Sequence, residues 1–320
     1  MPPSFHFNKY YHFYWTTESM KPIRFHHLSL IITAIILFMT QITLSQQGST
    51  QQDTIIAPDA ASIPLVDAQG NDDCWHNIPW QSIDESWIPY GAKLDSNDYT
   101  GKFKVVWSSK SNLLYFLVEV TDNVFVDGFI PGTTADVYNY DIIEVFIDEN
   151  KSGGLHVFDG KDSIGLQWGT NAENAFAYHI YAHFPKEGEL STKLFAGDIA
   201  GTNWADVKRM NYATHFPEFA LRRTGIKAVW EFSLIVYNDT YEDTMINKDL
   251  ARSRLYAGKV MGLSLAYCDN DHPEKNPKER DRFYGSVHVP AAAYNDHWMN
   301  ADYFGTVQLI GPLPSRFMNK

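Results

Sequence analysis

Three acids lie close together at Asp141, Glu144 and Asp148, in the stretch YDIIEVFID. Paired carboxyls carry out O-glycosyl hydrolysis when they stand roughly 5–9.5 Å apart across a cleft. On an extended strand Asp141 and Glu144 fall on opposite faces. Glu144 and Asp148 share a face but lie about 13 Å apart at a rise of about 3.3 Å per residue. Neither local pair has the required geometry, and only a pair assembled from distant parts of the chain stays open. Nothing matches G-x-S-x-G, H-E-x-x-H or a P-loop, so the signal for catalysis is weak throughout.

A second chemistry is suggested by Asp148-x-Asn150-x-Ser152-Gly153, which has the oxygen spacing of the start of a calcium loop, with Asp159 where the last ligand would fall. Strands rather than helices are expected on both sides, and Ser-Gly-Gly suits an ordinary turn. Asp122, Asp127 and Asp269 are comparable candidates. No cofactor is required by the sequence, and a structural Ca2+ is the one it admits. Three indoles, Trp75, Trp80 and Trp87, fall within 13 positions. They could form a sugar platform, but covering of a core and a sheet edge is the favoured reading.

Strands must position these groups. Lys102–Trp107 places Phe103, Val105 and Trp107 on one face. Leu113–Val120 places Leu114, Phe116, Val118 and Val120 on one face, and Ile142–Asp148 does the same with Ile143, Val145 and Ile147. Such period-two patterning in β-branched and aromatic residues reads as strand, with 108–112 as a hairpin loop. Further strands are expected at Ile63–Ala68, Ile164–Trp168, Asn174–His183, Lys227–Tyr237, Val260–Cys268, Arg282–Val289 and Gly305–Ile310. Tyr241–Leu255 is the best candidate for a short helix. The polar face of Asn174–His183, with His179, Tyr181 and His183, suits a wet cleft. The fold class expected is an all-β antiparallel sandwich, jelly-roll or immunoglobulin-like, in one domain over 62–312.

The chain has 320 residues, 44% of them apolar and 15% aromatic, which allows a sizeable core. A net charge of −12 argues against nucleic acid or an anionic membrane as partner. Residues 20–45 combine Lys21 and Arg24, an uncharged apolar run over Leu28–Met39, and Thr43 and Ser45 at cleavage-like spacing. They read as a signal peptide, with a signal anchor as the alternative. Residues 1–19 fit no signal and suggest an over-extended start. Residues 46–61 read as a polar tether and 313–320 as a tail. The expectation is a secreted or periplasmic protein, monomeric and free of the membrane after cleavage. Cys74 and Cys268 could form a disulfide or stay as buried thiols.

The pattern GKFKVVW … LLYFLVEVTD … YDIIEVFID, followed by a Trp and a Phe-Gly near the C-terminus, resembles the family 9 carbohydrate-binding modules. These are antiparallel β-sandwiches found beside xylan- and cellulose-degrading domains. The resemblance covers roughly Ile63 to Ile310. It implies a slot that holds one sugar between two aromatic rings, with Glu, Arg, Asn and Gln around its edge. The Glu of D-x-x-E-x-F-I-D is Glu144. The first ring, a Trp in the family, is Tyr138 here. The second is Trp298, with Asn295 three residues before it. The Arg before the closing loop falls on Arg282. Two positions depart from the pattern: the family's middle-strand Arg aligns with His179 and its Gln with Ala266. The resemblance also implies that the family carries calcium, without fixing where.

The reading that follows is a non-catalytic protein that binds an oligosaccharide or polysaccharide, of glucan or xylan type, in carbohydrate catabolism. A glycoside hydrolase is one alternative, and a degenerate module serving protein interaction is another.

Overall fold

The computed structural model describes residues 54–130, 136–156, 175–194, 196–202, 205–208, 212–241 and 245–313. The leader read at 20–45, the strand read at Ile164–Trp168 and Asp159 lie outside these residues. Among the described residues no helix is long and apolar enough to cross a membrane.

Two sheets form the domain, labelled here in chain order. The larger contains β1 (Ile55–Pro58), β3 (Glu85–Ile88), β6 (Ile142–Asp148), β7 (Ala175–Tyr181), β9 (Ala196–Thr202), β10 (Ala205–Lys208), β13 (Val260–Asp269), β14 (Arg282–Gly285) and β15 (Gly305–Ile310). The smaller contains β2 (Gln81–Ser82), β4 (Tyr99–Ser108), β5 (Leu113–Asp122), β8 (Leu190–Ser191), β11 (Phe219–Thr224) and β12 (Lys227–Leu234). The path through the larger sheet runs β1-β15-β13-β6-β7-β9-β10. β14 pairs with the far end of β13, and β3 pairs with β14. The smaller sheet runs β2-β4-β5-β12-β11-β8. Pairing between named strands is antiparallel except for β1 with β15. The expected antiparallel sandwich is therefore the fold.

Alternation along each strand sorts the residues into layers. β6 turns Ile143, Val145 and Ile147 into the inter-sheet core, where they meet Phe116 and Val118 of β5 and Trp230 and Phe232 of β12. Full burial of each such side chain contributes roughly 1.5–3 kcal/mol, so this layer fixes the strand register. Once it is fixed, the other face of β6 must carry Ile142, Glu144 and Phe146 outward. There a second apolar cluster covers the larger sheet, built on Trp87, Phe146 and Phe283. Trp87 lies flat because its neighbour on the sheet is Gly285, where a Cβ would come 2.0 Å from the indole. A third cluster, around Trp75, Tyr115 and Leu117, covers the smaller sheet.

Three expectations are corrected, and the alternative left open for the cysteines is resolved. Ile63–Ala68 forms no strand: the N–H groups of Asp67 and Ala68 bond the Glu231 carboxylate (3.1 and 2.9 Å) instead of a neighbouring chain. Ile55–Pro58, inside the stretch read as a tether, is strand β1. Within Tyr241–Leu255 the described residues hold only a 3₁₀ turn, Lys248–Ala251, which Asn247 caps by accepting from Asp249 N (3.1 Å). Such short polar side chains compete with helical backbone bonds. Both cysteines are free thiols, on the outer sides of different sheets.

Candidate functional site

A cavity of about 280 Å³ opens on the outer face of the larger sheet. Its floor carries Glu144 of β6 and His179 of β7, which are in direct register; Ala266 of β13 is in register with Glu144 on its other side but does not line the cavity. Trp298 and Asn295 come from the loop before β15, and Tyr138 from the 3₁₀ turn Val137–Asn139 before β6. Five of the six residues singled out in the sequence thus line one cavity: Tyr138, Glu144, His179, Asn295 and Trp298.

The sixth, Arg282, does not, and Arg280 stands there instead. The reason is parity. In β14, Tyr284 faces the inter-sheet core and Phe283 the outer cluster. Arg282 shares the parity of Tyr284 and so points away from the cavity. Arg280 precedes the strand and is free of that alternation. Its guanidinium lies 4.1 Å from the centre of the Phe283 ring and 5.0 Å from that of Tyr138. It reaches Glu144 Oε1 at 3.4 Å and donates to Asn295 Oδ1 at 3.3 Å.

Glu144 is only 2% exposed, yet few groups hold its carboxylate. Cys268 Sγ donates to Oε1 at 3.0 Å, and His179 Nε2 stands 3.5 Å from the same oxygen. Burial and the neighbouring Glu144 push the Cys268 thiol well above its ordinary range, so it stays protonated and donates. Arg280 donates in turn to the sulfur (2.9 Å). The Tyr138 phenol donates to Asp136 Oδ2 (2.8 Å). Burial, then Asp136, raises it to about 12.

Three lining residues were missed in the sequence besides Arg280: Phe146, Phe283 and His297. Phe146 is simply the outward neighbour of Glu144. His297 is hidden beside Trp298: it stacks on Trp87 at 4.0 Å, and burial lowers it to about 3, so it is neutral. Of the three clustered indoles, Trp75 and Trp87 are fully buried, and Trp80 lies under Lys102 and Lys104. None is a sugar platform.

Asp148 Oδ2 accepts from Gly153 N (2.9 Å) and Oδ1 from Asn150 N (3.3 Å), while Asn150 Oδ1 accepts from Ser152 N (2.9 Å). The side-chain oxygens of Asp148 and Asn150 thus accept turn bonds from the N–H groups of Asn150, Ser152 and Gly153. Asp127 is bonded to His183 Nδ1 (2.8 Å) and Phe184 N (3.1 Å). Asp122, Asp141 and Asp269, by contrast, bring carboxylate oxygens within 4.8 Å of one another, and Asp269 does the same with Asp98 and Asp271. Asp269 is 1% exposed and neither of its oxygens has a hydrogen-bond partner. Burial, and then the neighbouring carboxyls, raise Asp122 to about 7 and Asp269 to about 9. A set of hard oxygens, two of them without a donor, fits a calcium-type ion.

The fold is a β-sandwich with an open cavity on the outer face of its larger sheet, lined by Tyr138, Trp298, Glu144 and Arg280. Residues 66–312 match the carbohydrate family 9 binding domain-like family, and the chain belongs to it. Among solved structures the fold is similar to a family 9 carbohydrate-binding module from Caldicellulosiruptor kristjanssonii in complex with glucose. Identity is 16%, coverage 82% of this chain and 97% of that one, and the TM-score 0.51. The same organism's module in complex with cellotriose gives 17% identity, 82% and 96% coverage, and a TM-score of 0.51. No curated protein sequence matches.

Proposed function

We infer that this domain binds the end of a neutral saccharide chain without catalysing a reaction on it. The observation that carries this reading is the convergence of Tyr138 and Trp298 on a cavity floored by Glu144 and His179 and edged by Arg280 and Asn295. A pyranose presents C–H faces to rings and hydroxyls to charged groups, which bond them more strongly than neutral ones do. The volume lies at the small end for ligand pockets, about 300–1,000 Å³, and suits one sugar ring. One carboxylate faces one guanidinium, so the slot has no surplus charge to draw an anionic sugar. Among the lining residues Glu144 is the only carboxylate, whereas hydrolysis by paired carboxyls needs two.

The kinship with modules solved with glucose and cellotriose favours a glucan or xylan, held at its reducing end. Residues 20–45 would export the protein to a periplasm or beyond, in the service of carbohydrate catabolism. A structural Ca2+ would sit at the aspartate cluster and not at Asp148. With one stacked ring, affinity should be micromolar to millimolar. Ala266, beside Glu144, supplies no amide and favours a second reading, a module that has lost its sugar and serves protein contact.

Calorimetric titration with cellobiose, xylobiose and their borohydride-reduced alcohols tests the assignment. Binding that vanishes on reduction is the expected result. If Trp298→Ala and Glu144→Ala both bind cellobiose like the wild type, the slot is not the site.

A further inference from the structure

The sulfur of Cys268 stands between the two charged groups of the slot. All the contacts that the described residues make to the Glu144 carboxylate fall on Oε1: Cys268 Sγ at 3.0 Å, Arg280 Nη1 at 3.4 Å and His179 Nε2 at 3.5 Å. Among the described residues Oε2 receives none, so it keeps its bonding capacity for the cavity that Glu144 lines. Arg280 Nη1 is nearer to the sulfur (2.9 Å) than to the carboxylate, and Nη2 donates to Asn295 Oδ1 (3.3 Å). N–H groups ordinarily reach oxygen at about 2.7–3.2 Å, so guanidinium and carboxylate face each other without closing into a tight pair. Cys268 is fixed where it stands. β13 is paired on both sides there, with Ile142 of β6 opposite on one side and Phe283 of β14 on the other. Glu144 is therefore its diagonal neighbour across the ladder. Arg280 belongs to the loop ahead of β14 and has no such anchor. A thiol is both a weak donor and a weak acceptor, so one atom serves an anion and a cation together. Burial and then Glu144 keep it protonated.

We propose that Cys268 is a positioning residue of the slot: its thiol gives its hydrogen to Glu144, takes one from Arg280, and so holds carboxylate and guanidinium apart as separate partners for a sugar. This deepens the saccharide reading of the slot and rests on it for the sugar half of the claim. The physical ground is competition. A guanidinium and a carboxylate free to meet form a bidentate pair, and each bond made between them is one fewer for a ligand. The sulfur stands in the way of that closure and satisfies both groups in part. Oε2 is then left to accept from one hydroxyl, and the guanidinium, with five N–H donors in all, keeps some to give to another. Groups already held in their bound positions lose less freedom when the sugar arrives. Without the thiol, Arg280 swings onto Glu144, and the slot must break that pair before it binds.

The test uses the full chain carrying Cys74→Ala, whose lost thiol packs on the smaller sheet, so that Cys268 is the one thiol left. It has two arms. In the first, the S–H stretching band is recorded in the infrared with no sugar present. The expected band is shifted down by the bond to the carboxylate, and Glu144→Ala moves it back toward that of an unbonded thiol. In the second, cellobiose is titrated calorimetrically. Cys268→Ala should bind about 3- to 10-fold more weakly, while Cys268→Ser, which keeps a donor and an acceptor, stays within about twofold of its parent. Arg280→Ala should cost less than about threefold when added to Cys268→Ala, because the two act as a unit and their losses do not add. Should Cys268→Ala fail to fold, the infrared arm decides. A band that ignores Glu144→Ala overturns the proposal. So does a folded Cys268→Ala that is less stable but binds cellobiose like its parent, since it has lost packing alone; both leave the saccharide reading standing. A band that responds, with no cellobiose bound by the parent, keeps the thiol as a spacer and removes the saccharide reading.

Discussion

Each sheet buries one glutamate on its outer side, and the two have opposite surroundings. Glu231, on the smaller sheet, is fully buried and closed by the protein itself. It accepts from Trp75 Nε1 (2.9 Å), Ala68 N (2.9 Å) and Asp67 N (3.1 Å). Glu144, on the larger sheet, is nearly as buried, but its partners are a thiol, a guanidinium at 3.4 Å and an imidazole nitrogen at 3.5 Å, and a cavity opens above it. Buried polar groups are ordinarily satisfied. One whose bonds are long and few, beside an open slot and between rings, is arranged to complete its set with something that comes from outside. The depth of the two acids is the same. What separates a fold-holding group from a ligand-holding one is how much of its hydrogen-bonding capacity the chain uses.

Exchanging the two losses should give the largest effect. Glu231→Ala strands three donors, two of them fully buried, at about 1–2 kcal/mol each. Chemical denaturation should therefore show about 3 kcal/mol or more of lost stability, with the cellobiose Kd unchanged in whatever remains folded. Glu144→Ala should abolish cellobiose binding while the unfolding midpoint moves little. Equal destabilisation by both would erase the distinction.

A smaller effect separates closed from open histidines. His215 lies in the inter-sheet core with Nδ1 bonded to Tyr178 OH (2.9 Å) and Nε2 to Tyr241 OH (2.8 Å). Burial, then the Lys248 charge, lowers it from 6.5 to about 3. The folded protein thus refuses a proton that the unfolded chain accepts below 6.5, and stability falls as pH drops from 6.5 toward 3. At pH 5 this one group costs about 2 kcal/mol. Denaturation of wild type and His215→Gln at pH 7 and pH 5 should show the variant losing less by that amount, with no difference in cellobiose affinity at pH 7.

The finest distinction lies between two arginines. Arg280→Ala should weaken cellobiose about 10- to 50-fold, as loss of a charge-assisted bond implies. Arg282→Ala should change it less than about twofold, since a partly exposed surface charge contributes little. The reverse order in calorimetry would restore the assignment that the sequence suggests.

That pair also shows where sequence reading stops. Inside β4, β5, β6 and β15 alternation leaves little freedom, and both the strands and their faces can be read directly. Tyr138, Asn295 and Trp298 could be placed only through the family pattern, since loops carry no period. Arg280 and Arg282 have equal parity on paper. The difference arises because β14 starts at Arg282, a boundary set by pairing with Asp269 and not by local composition. The outer face of β7 looked wet, yet Ala177 and Tyr181 are buried there and only His179 opens to the slot. Phe129 and Tyr140, from segments distant in sequence, cover Tyr181. Likewise, Pro64 is the one local sign against a strand at Ile63–Ala68, and the partner that holds its end is an acid more than 160 positions away.

The parallel pairing of β1 with β15 runs from Ile55 against Val307 to Pro58 against Ile310. It continues through Asp59 N and Trp107 Nε1, both donating to the Ile310 carbonyl at 2.9 Å. Parallel strands that enter at one end and leave at the other slide lengthwise past each other when the chain is stretched between residues 54 and 311. Every rung of this ladder then resists at once, in shear, instead of opening one after another like a zip. A domain built this way takes tension along one edge of the larger sheet, whereas the strands under the slot, β6 and β7, lie further in along the same sheet.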